Sequence, residues 1–378
     1  MEGALKTTSN PAHQGRNLAL DGVRGLAALF VLISHYMPQN PFWWTMQWGR
    51  VGVVTFFILS GYLIVSILLN SKDKIDAGHK IKSTWNEFYK RRALRIFPLY
   101  FGVLFVFCIA GYQNTIDTFW WHATFASNIG HSIFKVNFDN FSHFWSICVE
   151  EQFYLLIPVI VLCTKKEKSF SILCAMFFAC MSFKIGYATT SLDQSVLARI
   201  PIANVEGISF GALIAYAFHV PRARRWLELI VKWLTLAALI SFVAMNAYRF
   251  AVGVPAYYTF FNIAIADLVI ACTFGPLISA IVHKSLNDSA LEFLASKPLA
   301  YLGTISYGVY VYHYAMLSFM PSYLDALDIA DKTMAAFFAK SILALIVAAL
   351  SWHLFEKQIL KLKDMNTREN VKTNAGIG

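Results

Sequence analysis

Residues 18–38 read LALDGVRGLAALFVLISHYMP and form the first long apolar stretch of the chain. A helix that crosses a bilayer needs about twenty mostly apolar residues, so this stretch is long enough to span. It nevertheless carries Asp21, Arg24 and His35, which share one face of a helix at about 100° per residue. Ionisable groups inside a span are costly and mark an ion, proton or substrate path. The alternative is an arginine that snorkels to the interface and a histidine bonded to a neighbouring helix.

The composition is typical of a membrane protein. Apolar residues make up 57% of the chain and charged residues 14%, whereas soluble proteins carry about 25% charged residues. We therefore predict an all-α, polytopic membrane protein that is surrounded by lipid. The net charge of +10 lies mainly in the connections between apolar stretches, so no nucleic-acid partner is predicted.

Neither the cysteines nor the N-terminus changes this interpretation. All six cysteines fall in apolar runs and lack the spacing of metal ligands or of a disulfide framework, so no metal site is predicted. The first seventeen residues are polar and lack the apolar core of a signal peptide. The first span is therefore predicted to be a retained helix.

Apolar runs of spanning length predict about ten transmembrane helices. They cover residues 18–38, 51–70, 96–113, 145–164, 169–188, 201–219, 226–247, 257–282, 299–319 and 334–355. Residues 1–17 and 357–378 are then polar tails, and residues 18–356 form one transmembrane domain.

The distribution of lysine and arginine predicts the orientation. With the N-terminus inside, the inner segments hold twenty-three of these residues and the outer segments hold five. Cytoplasmic loops are enriched in lysine and arginine. Both tails and the segment 71–95 are therefore predicted to be cytoplasmic, and the connection 112–144 to be external.

Arg91, Arg92 and Arg95 directly precede the third span, in the sequence FYKRRALRIFPLY. Two interpretations are open. The residues follow the general bias toward positive charge on the inner side. Alternatively, Arg92 and Arg95, one helical turn apart, form a phosphate clamp, because guanidinium groups bind phosphate in a bidentate manner.

The fourth span begins with HFWSICVEEQFYLLIP, in which Ser146, Glu150 and Tyr154 recur every four residues. One helix face therefore carries a hydroxyl, a carboxylate and a phenol. Glu150 lies at a depth near that of His35, and Glu151 points elsewhere. A structural salt bridge from Glu150 to another helix is the alternative.

Two further spans have polar or small residues on an apolar background. Ser60 and Gly61 interrupt the second span, where they allow either close helix packing or the passage of a ligand. The ninth span contains a polar, aromatic face suited to a cavity wall, made of Ser306, Tyr307, Tyr310, His313 and Tyr314. The sequence favours a packing role over a catalytic one for His313.

In the connection 112–144, aromatic and polar residues suit either a sugar-binding surface or the interfacial aromatic belt.

These motifs together resemble the integral-membrane acyltransferase 3 family. The matching features are Arg24 and His35 with ten residues between them, FFILSGYL at 56–63, Arg92-x-x-Arg95, Trp145-Ser146-x-x-x-Glu150, and SYGVYVYHY at 306–314. They occur in the family's order and extend over nearly the whole chain. The departures are small: Ile147 stands where leucine is usual, and Gly308-Val309 lies in a loosely patterned region.

The resemblance implies a membrane-bound O-acyltransferase in a bacterial plasma membrane, with residues 18–356 as the acyltransferase domain. It implies no permanently bound cofactor, a cytoplasmic acyl-CoA donor, usually acetyl-CoA, and a carbohydrate acceptor of the cell envelope or of an exported glycan. His35 is then the predicted catalytic base, assisted by Glu150. The donor- and substrate-binding residues are Arg24, Ser60, Arg92, Arg95, Trp145, Ser146 and Tyr307. Acylation of His35 itself is an open alternative.

A second function class also suits ionisable groups inside spans, namely a secondary transporter or flippase of polysaccharide precursors. The sequence lacks paired broken helices in corresponding halves, which disfavours this class. Some relatives carry an appended SGNH-type esterase domain. Because none follows the last span here, polysaccharide-assembly proteins are the expected partners for any second acyl-handling step.

Overall fold

The computed structural model describes residues 17–38, 47–190, 199–219, 221–252 and 266–361. In these ranges the chain forms helices and no β-strand. Ten of the described helices have fifteen residues or more: α1 (Leu18–Tyr36), α2 (Trp48–Asp76), α3 (Ile81–Ile109), α4 (Trp145–Cys163), α5 (Lys166–Ala188), α6 (Val205–His219), α7 (Pro221–Val252), α8 (Ala266–His283), α9 (Lys297–Ala315) and α10 (Met334–Ser351). The all-α prediction is confirmed.

The long helices overlap the predicted spans in order. Seven helical segments in the described part of the chain are long and apolar enough to cross a membrane, and they contain α1 to α5, α8 and α10. The apolar parts of α6 and α7 are shorter, at Val205–Ala217 and Leu236–Tyr248. The chain is thus a polytopic membrane protein, and the total of ten spans stays a prediction.

Local sequence explains both ends of α1. The side chain of Asn17 accepts hydrogen bonds from the backbone N–H groups of Ala19 and Leu20, at 3.1 and 3.2 Å, and so caps the helix start. Met37 is extended, with ψ 139°, because a residue that precedes proline is disfavoured in the helical region. The helix therefore runs without interruption from Leu18 to Tyr36 and carries both Arg24 and His35.

The segment 71–95 differs from the expected loop. Helices α2 and α3 each contain 29 residues and are separated only by residues 77–80. A helix of that length extends about 44 Å, which exceeds the hydrocarbon core of about 30 Å. Arg91, Arg92 and Arg95 consequently lie on a helix, where their directions are fixed.

Close helix packing explains Gly61. A Cβ atom at Gly61 in α2 would overlap the carbonyl oxygen of Ile208 in α6, and one at Gly211 would overlap that of Ile58. Small residues at both positions let the two backbones meet. The sequence left open whether Ser60 and Gly61 serve close helix packing or the passage of a ligand. Gly61 serves close packing, whereas Ser60 lines a cavity.

The connection between α3 and α4 is folded. It forms short helices at Gln113–Asp117, Phe119–Ala123 and Ser127–Ser132, followed by a 3₁₀ helix at Asp139–Phe144. Tyr100 of α3 donates a hydrogen bond to the carbonyl oxygen of His122 at 3.1 Å and stacks on Phe144 with ring centroids 4.6 Å apart. This connection therefore packs against the same end of the bundle as His35, which we call the histidine end. The opposite end, near Arg92 and Arg95, is the arginine end.

Candidate functional site

A cavity of about 340 Å³ extends between α1, α2, α3, α4 and α9. Seven of the nine predicted site residues line it: Arg24, Ser60, Arg92, Arg95, Ser146, Glu150 and Tyr307. These residues come from five helices, the first four long helices and α9. The structure therefore brings most of the predicted residues into one site and leaves His35 and Trp145 outside its lining.

The arginine end of this cavity carries excess positive charge. Arg24 is hydrogen-bonded to Asp21 at 3.2 Å, and the Arg92 guanidinium lies over the ring of Tyr154 at 5.9 Å. Within the described part of the chain, neither Arg92 nor Arg95 forms an ion pair with a carboxylate. Two guanidinium groups that form no ion pair can bind an anion with several oxygen atoms.

Arg91 has a different environment from its two neighbours. Its guanidinium pairs with Glu87 on the same helix, and its side chain is exposed. It does not belong to the cavity lining. The charge bias of the segment therefore accounts for Arg91, whereas the position of Arg92 and Arg95 also makes them available to a ligand in the cavity.

Glu150 is the acidic residue of the cavity lining. Its carboxylate accepts a hydrogen bond from Ser60 at 2.9 Å and another from Tyr154 at 3.2 Å. The predicted face of Ser146, Glu150 and Tyr154 is confirmed, since all three line the cavity. Glu151 does not line it.

Tyr310 closes the cavity toward the histidine end. Its hydroxyl lies 2.6 Å from Ser146 Oγ and donates to the carbonyl oxygen of His143 at 2.7 Å. Tyr307, one turn earlier in α9, donates to the carbonyl oxygen of Ile96 in α3 at 2.9 Å. The sequence predicts Tyr310 on a cavity wall, but it does not predict these hydrogen bonds, because helix spacing does not indicate which helix lies opposite.

His35 lies beyond Tyr310, in a cluster of three histidines. Its exposed ring is 5.1 Å from the ring of His313 and 5.1 Å from that of Tyr314. The ring of His143 is 5.0 Å from that of His313. The imidazole of His313 is buried, with Nδ1 2.7 Å from the carbonyl oxygen of Tyr310. This cluster is not predictable from helix spacing, since the three residues lie on separate segments.

Glu150 and His35 are not hydrogen-bonded to each other. The carboxylate is bonded to Ser60 and Tyr154, and Tyr310 with the two buried histidines lies between the cavity and His35. Direct orientation of the imidazole by the carboxylate, the arrangement expected from the sequence, is absent from this conformation. The catalytic roles of both residues stay predictions.

The side chain of Trp145 packs against neighbouring side chains and does not line the cavity. Its ring meets Phe57 edge-on with centroids 6.2 Å apart, and the guanidinium of Arg50 lies 5.5 Å from its ring centroid. Arg50 in turn pairs with the buried Asp267. Trp145 therefore connects the cavity-lining residue Ser146 to a buried ionic network of α2, α5, α6 and α8.

A bundle of apolar helices of spanning length around a polar, arginine-containing cavity defines the chain as an integral-membrane protein with an internal site. Comparison with known proteins defines the family. The sequence profile of the family described as "Acyltransferase domain" matches residues 17–353. The chain belongs to this acyltransferase family, which confirms the resemblance based on its motifs.

Curated relatives agree with this assignment. O-acetyltransferase OatA of Staphylococcus aureus strain NCTC 8325 is 26% identical over 373 residues, which cover 90% of this chain and 57% of the relative. SACOL0978 of strain COL, whose name assigns it provisionally as an O-acetyltransferase, is 27% identical over 378 residues, covering 92% of this chain and 58% of the relative. The chain thus spans somewhat over half the length of these relatives. No solved structure matches it.

Proposed function

We propose that this protein is an O-acetyltransferase that moves an acetyl group from acetyl-CoA to a hydroxyl of a cell-envelope or exported carbohydrate. The observation that carries the proposal is the cavity with two unpaired guanidinium groups at one end and a histidine cluster beyond the other. The names of the O-acetyltransferase relatives support the acetyl group and the oxygen acceptor.

The anionic part of the donor binds at the arginine end. CoA carries phosphate groups, and Arg92 and Arg95 can each offer two parallel N–H donors to phosphate oxygens. Arg24, already bonded to Asp21, adds positive charge deeper in the cavity. The negative donor offsets the charge excess that the cavity lining leaves uncompensated. In the proposed orientation the arginine end faces the cytoplasm, where acyl-CoA is supplied.

The acyl end of the donor extends toward the histidine end. The cavity lining continues from Arg92 and Arg95 past Ser60 and Glu150 to Ser146 and Tyr310. Arg24 and His35 are separated by about 16 Å of helix rise. An extended arm that starts at the arginines therefore has to travel past Tyr310 before its thioester reaches His35. The proposed reaction includes a movement of this tyrosine.

His35 serves as general base in the proposed step. Its imidazole takes the proton of the acceptor hydroxyl, and the hydroxyl oxygen attacks the thioester carbonyl carbon. The C–O bond forms, the C–S bond breaks, and the departing CoA sulfur takes the proton back from the imidazolium. Glu150 assists through its negative charge, which stabilises the imidazolium across a medium of low dielectric constant.

Donor affinity tests this proposal, because Arg91 provides a matched control. Arg92→Ala and Arg95→Ala should each weaken acetyl-CoA binding by about 1.5–3 kcal/mol, the contribution of a hydrogen bond to a charged group. Lysine at either position should restore only part of the affinity. Arg91→Ala should bind acetyl-CoA as the wild type does, since Arg91 pairs with Glu87 outside the cavity.

The measurement is calorimetric titration of purified protein with acetyl-CoA, together with thermal unfolding to check folding. Equal affinities in all three alanine variants would mean that the arginines carry only a topology signal. A wild-type protein that acetyl-CoA neither binds nor protects would instead favour a transporter of glycan precursors.

A further inference from the structure

A second cavity, of about 490 Å³, opens at the histidine end. It lies between the folded connection that precedes α4 and the end of α9. The residues that define its chemistry are Tyr112, Asn114, Asn137, Asp139, Asn140 and Tyr314. We call it the outer groove. None of the nine predicted site residues lines it.

The outer groove is adjacent to His35. The ring of Tyr314 forms part of its wall and lies 5.1 Å from the ring of His35. Ser142 also lines the groove and directly precedes His143 of the histidine cluster. A molecule in the groove therefore lies one aromatic ring, that of Tyr314, away from His35.

The lining suits a ligand with many hydroxyl groups. Side-chain amides, hydroxyls and one carboxylate provide both donors and acceptors, and two tyrosine rings provide flat apolar faces. Within the described residues, the hydroxyl of Tyr314 forms no hydrogen bond, so it is available to a hydroxyl group of a ligand.

The polar rim is held in place before any ligand binds. Asn137 Nδ2 donates to the Asp139 carboxylate at 2.5 Å, and the Asp139 backbone N–H donates to Asn137 Oδ1 at 3.2 Å. Asn140 donates to Ser318 Oγ at 2.9 Å, which ties the rim to the segment after α9. Asp139 itself has φ 36°, a left-handed conformation that aspartate tolerates better than most residues. Preorganisation of this kind reduces the entropy cost of binding.

The charge of the groove restricts the ligand. Asp139 is the acidic residue of the lining, and no lysine, arginine or histidine belongs to it. A carboxylate or phosphate on the ligand would meet a negative site without a counter-ion. The lining therefore favours neutral sugars and disfavours uronic acids and sugar phosphates.

We propose that the outer groove binds the acceptor, a neutral polyhydroxylated sugar unit, and presents one of its hydroxyls to His35. This inference rests on the proposed O-acetyltransferase function and adds the acceptor site and its charge preference. Donor and acceptor then enter from opposite ends of the bundle, with Tyr310 and the histidine cluster between them.

Transfer of radiolabelled acetyl from acetyl-CoA tests the groove. The acceptors are the neutral and the acidic glycan fractions of the native cell envelope, separated by anion exchange. The wild type should acetylate the neutral fraction and discriminate against the acidic one. Ser142→Trp, which fills the groove, should raise KM for the neutral fraction about tenfold or more and leave acetyl-CoA affinity unchanged.

Asp139→Asn is the conservative variant, because asparagine also tolerates a positive φ. It should raise KM for the neutral fraction and increase the relative use of the acidic fraction. Asp117→Asn is its matched control: Asp117 is an exposed acidic residue of the same connection, bonded to Gln113 and outside the groove. This control should change neither value.

The outcomes separate the two proposals. A wild type that binds acetyl-CoA and acetylates glycan, with KM unchanged in both groove variants, overturns the groove and leaves the proposed function standing. Preference of the wild type for the acidic fraction overturns the charge argument. Absence of acetyl-CoA binding and of transfer in the wild type refutes the proposed function and the acceptor site together.

Discussion

At the scale of single residues, Glu150 has the most constrained position in the cavity. A carboxylate inside a membrane bundle has to be hydrogen-bonded or paired, and Ser60 and Tyr154 each donate one hydrogen bond to it. Its charge faces three arginines in the same lining. Glu150 therefore reduces the positive charge of the cavity without removing the excess that an anionic donor requires.

The variant Glu150→Gln removes the negative charge of this side chain and keeps its size and shape. The amide keeps the volume and can still accept from Ser60, so the fold should persist, but the negative charge is lost. Acetyl transfer should fall by about tenfold or more, since an electrostatic contribution to the transition state is removed. Acetyl-CoA affinity should be equal or tighter. Glu151→Gln is the neighbouring control, because Glu151 does not line the cavity; equal transfer rates in both variants would contradict a specific role for Glu150.

His35→Ala tests the base directly. Loss of a general base should reduce acetyl transfer by about a hundredfold or more. Donor binding should remain, because the arginines that are proposed to bind the phosphates lie at the other end of the cavity. Transfer and acetyl-CoA affinity should be measured on the same preparation. The control is His79→Ala, at an exposed histidine between α2 and α3. Substantial transfer by the His35 variant would exclude both the base and an acyl-histidine intermediate.

These residue-scale features were only partly predictable from the sequence. The common face of Ser146 and Glu150 follows from helix periodicity alone, and the structure confirms it. The hydrogen bond from Ser60 to Glu150 joins residues ninety positions apart, and no local pattern encodes that pairing. The histidine cluster combines α1, α9 and the 3₁₀ helix before α4, so periodicity within any one segment could not reveal it.

At the scale of helices, the sequence also predicts only part of the structure: it locates the apolar spans but not the residues at which the helices begin and end. Hydropathy identifies the part of a helix that lies in lipid, whereas the polar first half of α3 is held by helical hydrogen bonds that hydropathy does not detect. The expected loop over 71–95 is therefore largely helix. Arg50 is a second example. It lies just before the predicted second span, residues 51–70, yet it belongs to α2 and pairs with buried Asp267.

A buried ionic network holds four of these helices together. Lys184 of α5 donates to Glu206 of α6 at 2.5 Å and to Asp267 of α8 at 2.6 Å, and Arg50 of α2 also pairs with Asp267. The network contains two basic and two acidic side chains, so its net charge is zero when all four are ionised. Lys184 is 1% exposed, so none of its charge is screened by water.

Lys184→Met should therefore destabilise the bundle by about 3–5 kcal/mol, because it leaves a buried negative charge uncompensated. Lys166→Met on the same helix is the control. It breaks the partly exposed pair with Asp73 and should cost about 1 kcal/mol or less. Unfolding in mixed micelles measures both. The double variant Lys184→Met/Glu206→Gln should recover part of the loss, and a Lys184 variant as stable as the wild type would show that the network contributes nothing to stability.

At the scale of the whole molecule, the two cavities lie toward opposite ends of the bundle and differ in the charge of their linings. The arginine end holds two guanidinium groups without an ion pair, which suit the proposed phosphate-bearing donor, and the histidine end holds a groove whose lining contains no basic residue. A protein that accepts a cytoplasmic donor and modifies an external glycan needs this polarity across the membrane. Orientation is therefore the property on which the whole proposal depends.

The arrangement of lysine and arginine predicts that orientation, with residues 77–80 in the cytoplasm and the connection 112–144 outside. Replacement of the six native cysteines by alanine leaves single introduced cysteines as the reporters. The Trp120→Cys variant, at a side chain that is 75% exposed, should react with a membrane-impermeant maleimide on intact cells. The His79→Cys variant should react only after permeabilisation, because its position lies at the arginine end. Labelling of the His79 variant on intact cells would place Arg92 and Arg95 on the outer side, away from cytoplasmic acetyl-CoA. The arginine end would then bind an anion other than acetyl-CoA, and the proposed donor site would be wrong.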